Sequence, residues 1–393
     1  SGKLHGTMSS RARRPRSALA TVWILVACAA VGTVIGLVVR ELRSDDGGPR
    51  PIRVRPARPG EQSAAGLWLF GATTVRLDPV TLSDPRNVGF RGFGAVLGGE
   101  GAVYLYDPTT GRVGVIDAAR NQLAGRSSIA VHGGVGADVA PVLAEQRGAL
   151  WLVTGPGRLA RDELATGGTN EVTLPTDVVS EQAAGGPPAP GATRVVADSV
   201  AAWAVYDLGV TGGPPLPAAV RIADDGSVTA RAALPDRVDG ERLDPQAVAL
   251  GDDTVWVVGR GAAVALDPDT LDVRRSFGVQ GAAPIELHGA AVAGGLLWSY
   301  DSDSGALFGV DPGTGRVQQR VALTGGDTQF RAPATIVAGG DVLWVRVRIG
   351  STDTLEQLIT RIDARSGEVT GRFTAPPQLE VGEIALSRAP SGG

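Results

Sequence analysis

The chain has 393 residues, with 56 Gly, 26 Pro and 43% apolar residues, which is too apolar for intrinsic disorder and too rich in turn formers for a helical bundle. Its formal charge of −4 hides an asymmetry: residues 1–63 carry 11 Lys/Arg against 4 Asp/Glu, which leaves 26 against 37 in residues 64–393, a net of −11. An acidic body of that size repels nucleic acid, so none is expected as a partner, and the lone cysteine, Cys28, leaves no disulfide framework.

Residues 1–16 read as a tag remnant, Ser1–Thr7, followed by a basic tail. Met8 is the only methionine and marks the expected native start, with Arg11, Arg13, Arg14 and Arg16 behind it. Ser391-Gly392-Gly393 has the same linker character. Residues 17–39 carry no charge and would form a helix roughly 34 Å long, enough for the hydrocarbon layer. That run is longer than the apolar core of a cleaved signal peptide. Leu25-Val26-Ala27-Cys28 supports an alternative, a lipoprotein box, although Ala29–Val39 continues the apolar run. Either way the bilayer is an expected partner. Arginines on the short N-terminal side favour a large domain outside the cytoplasm, and Gly32 and Gly36 have the small-xxx-small spacing of helix pairs. Residues 40–66, rich in Gly, Pro and Arg, read as a juxtamembrane linker.

From residue 67 to 390 one unit recurs: a short apolar strand with an aromatic, a turn, a strand ending in Asp, a turn, and an alternating strand. Leu297-Trp298-Ser299-Tyr300, Ala306–Asp311 and Arg316–Leu323 form one copy; Val255-Trp256-Val257-Val258, Ala262–Asp267 and Asp272–Phe277 form another. Such lengths are those of strands. The markers Trp68, Tyr104, Trp151, Trp203, Trp256, Trp298 and Trp344 recur at the size of a four-stranded sheet, so the expected fold is all-β, a seven-bladed β-propeller. The markers are expected in the core. The missing innermost strand of each unit is supplied ahead of the next aromatic, by Gln246–Leu250, Ala290–Ala293 and Thr335–Ala338. Asp78-Pro79, Asp107-Pro108, Asp267-Pro268, Asp311-Pro312 and Asp363-Ala364 begin tight reversals. Asp301-Ser302-Asp303-Ser304-Gly305 alternates oxygen ligands but lacks a full calcium-loop spacing, so a solvated turn is expected.

Units of the form Leu-Trp, apolar strand, Asp-Pro-x-Thr-Gly and alternating strand resemble the bacterial propeller repeats grouped with PQQ-like quinoproteins and YVTN surface proteins. With residues 17–39 as the anchor and the arginines before them held inside, the expected placement is a bacterial cytoplasmic membrane with the propeller outside. The resemblance implies ring closure by strands from both ends of the chain. Here Gly382–Leu386 looks like an inner strand with no aromatic strand after it, and the blade of Trp68 has little room for an inner strand of its own.

Chemistry is sparsely provided. His5 falls in the tag remnant, and no Cys or His stands at ligand spacing, so no metal is expected; nor is there a phosphate loop or a nucleophile elbow, and no cofactor is expected. His132, His288, Glu145 and Glu286 are the starting set for an enzyme of quinoprotein or streptogramin-lyase type. The favoured reading is a binding or scaffold module for a protein or cell-envelope partner. Its largest insertions, Pro175–Ala192, Asp207–Pro217 and Ile349–Glu356, are expected on one face, as a binding rim marked by Thr176, Pro187, Thr211, Pro214 and Thr352.

Overall fold

The computed structural model describes residues 65–71, 73–88, 94–132, 142–179, 189–209, 214–251, 253–279, 287–323, 334–350, 355–376, 379 and 381–389. The expected membrane helix at 17–39, the basic tail and almost all of the linker lie outside the described residues. Among the described residues no helix is long and apolar enough to cross a membrane.

Seven antiparallel four-stranded sheets account for all but two of the strands. The first blade holds β1 (Gly66–Phe70), β2 (Thr74–Leu77) and β3 (Arg86–Asn87), and the second β4 (Ala95–Gly98), β5 (Ala102–Asp107), β6 (Arg112–Asp117) and β7 (Gln122–Ser128). The third is β8 (Leu143–Gln146), β9 (Ala149–Gly155), β10 (Arg158–Glu163) and β11 (Gly168–Thr173). The fourth is β12 (Ala189–Ala197), β13 (Ala202–Gly209), β14 (Leu216–Ile222) and β15 (Val228–Ala233). A small hairpin follows, β16 (Arg237–Val238) and β17 (Glu241–Arg242), which the repeat did not foretell. The fifth blade is β18 (Pro245–Gly251), β19 (Thr254–Gly259), β20 (Ala262–Leu266) and β21 (Val273–Gly278). The sixth is β22 (Leu287–Ala293), β23 (Leu296–Asp301), β24 (Ala306–Val310) and β25 (Val317–Ala322). The seventh is β26 (Thr335–Gly339), β27 (Val342–Gly350), β28 (Leu355–Asp363) and β29 (Val369–Ala375).

The last strand, β30 (Glu383–Ser387), returns to the first blade and pairs antiparallel with β1, from Gly66 opposite Ser387 to Phe70 opposite Glu383. The ring therefore closes through both ends of the propeller. The Trp68 indole donates to the Ser387 hydroxyl at 2.9 Å, and Ile384 and Ala385 are buried. Beyond the strand, Gly101 N–H donates to Arg388 O and Arg388 N–H to Gly99 O, which ties the same segment to the second blade. Gly98 has to be glycine there, because a Cβ would fall 1.8 Å from Leu386 O.

Second strands are packed on both sides by neighbouring blades, so they are apolar runs: every residue of β9, ALWLVTG, is buried. Outer strands meet solvent on one side and alternate, as β7 does. All seven marker aromatics lie in the interior, none more than 6% exposed. Five of the indole N–H groups donate hydrogen bonds; Trp203 donates to Pro268 O and Trp344 to Pro79 O, each on the next blade's turn.

Those turns join third to fourth strands on what is called here the lower face. In five of the seven, an Asp carboxylate accepts backbone N–H groups two and three residues on, as Asp78, Asp117, Asp267, Asp311 and Asp363 do. The Asp107 and Asp301 turns are built the same way but join second to third strands, so they sit on the opposite, upper face. Asp301 gives its carboxylate to its own turn, to the N–H of Asp303 and of Ser304. Long side chains clasp the lower turns from the preceding blade: Arg76 reaches Ala118 O and Asn121, Arg161 reaches Asp224, and Arg275 reaches Pro312 O.

Candidate functional site

Register places one residue from each first strand at a common level near the upper end of the channel, opposite the residue two past each marker. Glu383 stands opposite Phe70, Ala95 opposite Tyr106, Arg194 opposite Val205, Ala247 opposite Val258, His288 opposite Tyr300 and Thr335 opposite Arg346. In the third blade Val142 takes the place, its carbonyl accepting from Val153 N–H. Arg194, Thr335 and Glu383 make this level polar in three blades. Directly below it the channel holds a cavity of 570 Å³ lined by residues such as Val96, Leu250, Ile336, Ile384 and Leu386.

Two charged clusters sit in this layer. Between the seventh and first blades, Arg346 Nη2 donates to Thr335 Oγ1 at 3.2 Å, and Thr335 donates to Glu383 Oε2 at 2.8 Å. Burial pushes the Glu383 carboxyl above its usual range, against the pull of Arg346, and burial lowers Arg346. Arg348 and Gln357 pair in register just above. Three buried atoms here have no hydrogen-bond partner: Arg346 Nε, Arg348 Nε and Gln357 Oε1.

Between the fourth and fifth blades, Arg194 Nη1 lies 3.7 Å from Asp207, and Asp244 bridges to Arg260 at 3.2 Å. Burial raises Asp207, with Arg194 opposing and Asp244 adding to the rise, and burial lowers Arg194. Arg194 is 4% exposed and its Nε has no partner.

The expected enzyme set is not gathered in one place by the described residues. His132 Nε2 pairs with Glu171 Oε1 at 2.9 Å on the outer strand of the third blade, and its N–H donates to Thr154 O near the upper end of β9. Glu145 caps the turn at the other end of β9, accepting from Gly148 N–H at 2.7 Å. His288 belongs by register to the channel layer, and Glu286 lies outside the described residues. Among the described residues no group of three or more His, Cys, Asp or Glu could hold a metal ion.

Of the expected rim, Thr176 and Pro214 are described, and both border the upper side of the fourth blade. The Tyr206 hydroxyl donates to Pro175 O at 2.7 Å, and Arg231 holds Asp177 with bonds of 2.9 and 2.7 Å. Pro214 is exposed, and beside it Pro215 O accepts from Arg242 of the unforetold hairpin. Pro187, Thr211 and Thr352 lie outside the described residues.

No protein-family model matches the chain, and no curated protein matches it in sequence. Among solved structures, apo AztD from Citrobacter koseri aligns at 13% identity and TM-score 0.52, over 83% of this chain and 98% of that one. Dihydro-heme d1 dehydrogenase NirN in complex with DHE aligns at 14% and 0.48, over 86% of this chain and 79% of that one. BamB from Moraxella catarrhalis aligns at 15% and 0.40, over 78% and 91%. At such identities the likeness is one of fold, and the AztD match agrees with a propeller.

Proposed function

We propose that the chain is a membrane-tethered, extracytoplasmic propeller that acts as a binding or scaffold module for a protein or cell-envelope partner, and that it recognises that partner with its upper face. The observation that carries this reading is the asymmetry between the faces. Lower connections are tight, capped turns such as 118–121, 147–148, 164–167 and 294–295. On the upper side, the described ends of β7 and β8, β11 and β12, and β25 and β26 are separated by much longer stretches of sequence, and the β16–β17 hairpin lies on the same side. β27 and β28 stay paired up to Gly350 and Leu355, four rows beyond the level of Arg346. Loop growth costs little stability, and growth confined to one side of a rigid ring makes that side the one with varied chemistry. The tether would be the apolar segment 17–39, with the arginines before it retained in the cytoplasm.

The test is cross-linking of the full-length protein, solubilised with the partner that co-purifies, followed by mapping of the linked residues. Links gathered around Thr176, Thr211 and Thr352 support the reading. Links gathered on the lower turns or on the outer strands refute it.

A further inference from the structure

We infer that the upper channel, where the seventh blade meets the first, is a binding site for a small carboxylic acid that carries a hydroxyl or amino group beside its carboxylate. The inference stands apart from the upper-face reading above, because it needs no macromolecular partner.

It begins with a break in the repeat. Two residues past its marker, every other blade buries an uncharged group: Phe70, Tyr106, Val153, Val205, Val258 and Tyr300, none more than 4% exposed. The seventh blade puts Arg346 there, 6% exposed. A guanidinium at a core position of a repeat has to be compensated, and packing alone would have been served by the valine or tyrosine used elsewhere. Compensation within the chain is partial. Arg346 reaches Glu383 only through the Thr335 hydroxyl, and its Nε has no partner.

The neighbouring row repeats the pattern. Strand alternation puts Arg348 on the same side of the blade as Arg346 and Trp344, with Gln357 beside it, and that side packs on Leu67, Leu69 and Ile384 of the first blade. Arg348 Nε is buried without an acceptor, and Gln357, 4% exposed, has a buried Oε1 without a donor. Two cations against one carboxylate leave one positive charge, and the orphans are two donors and one acceptor. A carboxylate satisfies the two donors, and a hydroxyl or amine next to it satisfies Gln357. Thr335 and Glu383 each stand one residue above a cavity-lining residue, Ile336 and Ile384. A ligand held by its head among the arginines therefore has a space of 570 Å³ below for its body, a volume within the range of small-molecule sites.

Isothermal titration calorimetry of the full-length protein in detergent, at constant ionic strength, tests this with three probes: phenyllactate, 3-phenylpropionate and phenyl phosphate. The first two differ by one hydroxyl. Phenyllactate is expected to bind saturably with one site, about tenfold tighter than 3-phenylpropionate, the equivalent of about 1.4 kcal/mol. Arg346→Gln is expected to weaken phenyllactate at least tenfold, and Gln357→Leu to abolish the preference between the two acids. Arg348→Gln, at a half-buried position, is expected to weaken binding while keeping the parent melting curve, which guards against a folding defect in Arg346→Gln. Arg275→Gln, at a lower-face turn contact away from the channel layer, should bind like the parent. The inference is overturned if no probe binds saturably below about 10 mM, if phenyl phosphate binds tightest, or if Arg348→Gln and Gln357→Leu both bind like the parent. A refuted carboxylate site leaves the upper-face cross-linking result untouched, and the converse also holds.

Discussion

Replacing Ile384 and Leu386 together by Ala removes the side chains that fasten β30 to the seventh blade while sparing its backbone bonds to β1. Both are interior, 2% and 8% exposed, and they share a cluster with Leu67, Leu69 and Trp344. A buried Ile or Leu cut to Ala costs about 2–5 kcal/mol each. The pair shares neighbours, so the sum is less than additive, and about 4–7 kcal/mol is expected. That is a large part of the ~5–15 kcal/mol that holds a typical domain together. The assay is urea unfolding of the full-length protein in detergent, followed by tryptophan fluorescence, with Val369→Ala on the seventh blade's outer strand as the control. A midpoint that moves sharply for the pair and little for the control fits a ring closed by β30. A pair that costs under about 1 kcal/mol would refute the closure, since no docked strand could lose both anchors so cheaply.

Trp256→Ala should cost about 3–5 kcal/mol in the same assay, because the ring is 5% exposed and lies 5.8 Å from Phe277; unchanged stability would remove it from the core. Gly98→Ala should cost about 1–3 kcal/mol or more, as the new Cβ drives into Leu386 O, and a neutral effect would show that β4 and β30 do not approach so closely. Asp267 is held at about 2, first by the N–H of Thr270, then by Arg274 and the N–H of Asp269. A depressed carboxyl adds stability above its unfolded value near 3.8 that is lost as pH falls through about 2. Asp267→Asn should therefore flatten the loss of stability between about pH 4 and 2, and a parallel pair of pH curves would contradict the assignment.

Much of the architecture is legible in the sequence because blade packing forces an aromatic into each second strand, and the spacing of Trp151, Trp203 and Trp256 then gives the unit. The closing strand is legible for a related reason: Glu383–Leu386 has the pattern of a first strand and no second strand to follow it. Two features escaped. The Asp239-Gly240 pair is a two-residue hairpin signal, and both residues have positive φ, 52° and 89°, as such a turn needs. The flanking pairs Arg237-Val238 and Glu241-Arg242 are too short to stand out as strands. The arginines of the channel layer were hidden more thoroughly. Val345-Arg346-Val347-Arg348 reads as a half-exposed strand with its cations in water, whereas a blade has neighbours on both sides, so the polar face of that alternation is also an interior. Only comparison of the seven units at the position of Arg346 reveals it. His288 belongs to the same level by register alone, and no spacing in the sequence joins it to Glu383 or Arg194.

The upper face is tested most directly by hydrogen exchange of the full-length protein, alone and bound to its co-purified partner. The account predicts that amides protected by the partner lie along 174–179, 207–217 and the upper ends of β27 and β28, with the lower turns at 78–85, 118–121 and 311–316 unchanged. Protection concentrated on those lower turns, with the upper segments exchanging as in the free protein, would contradict it.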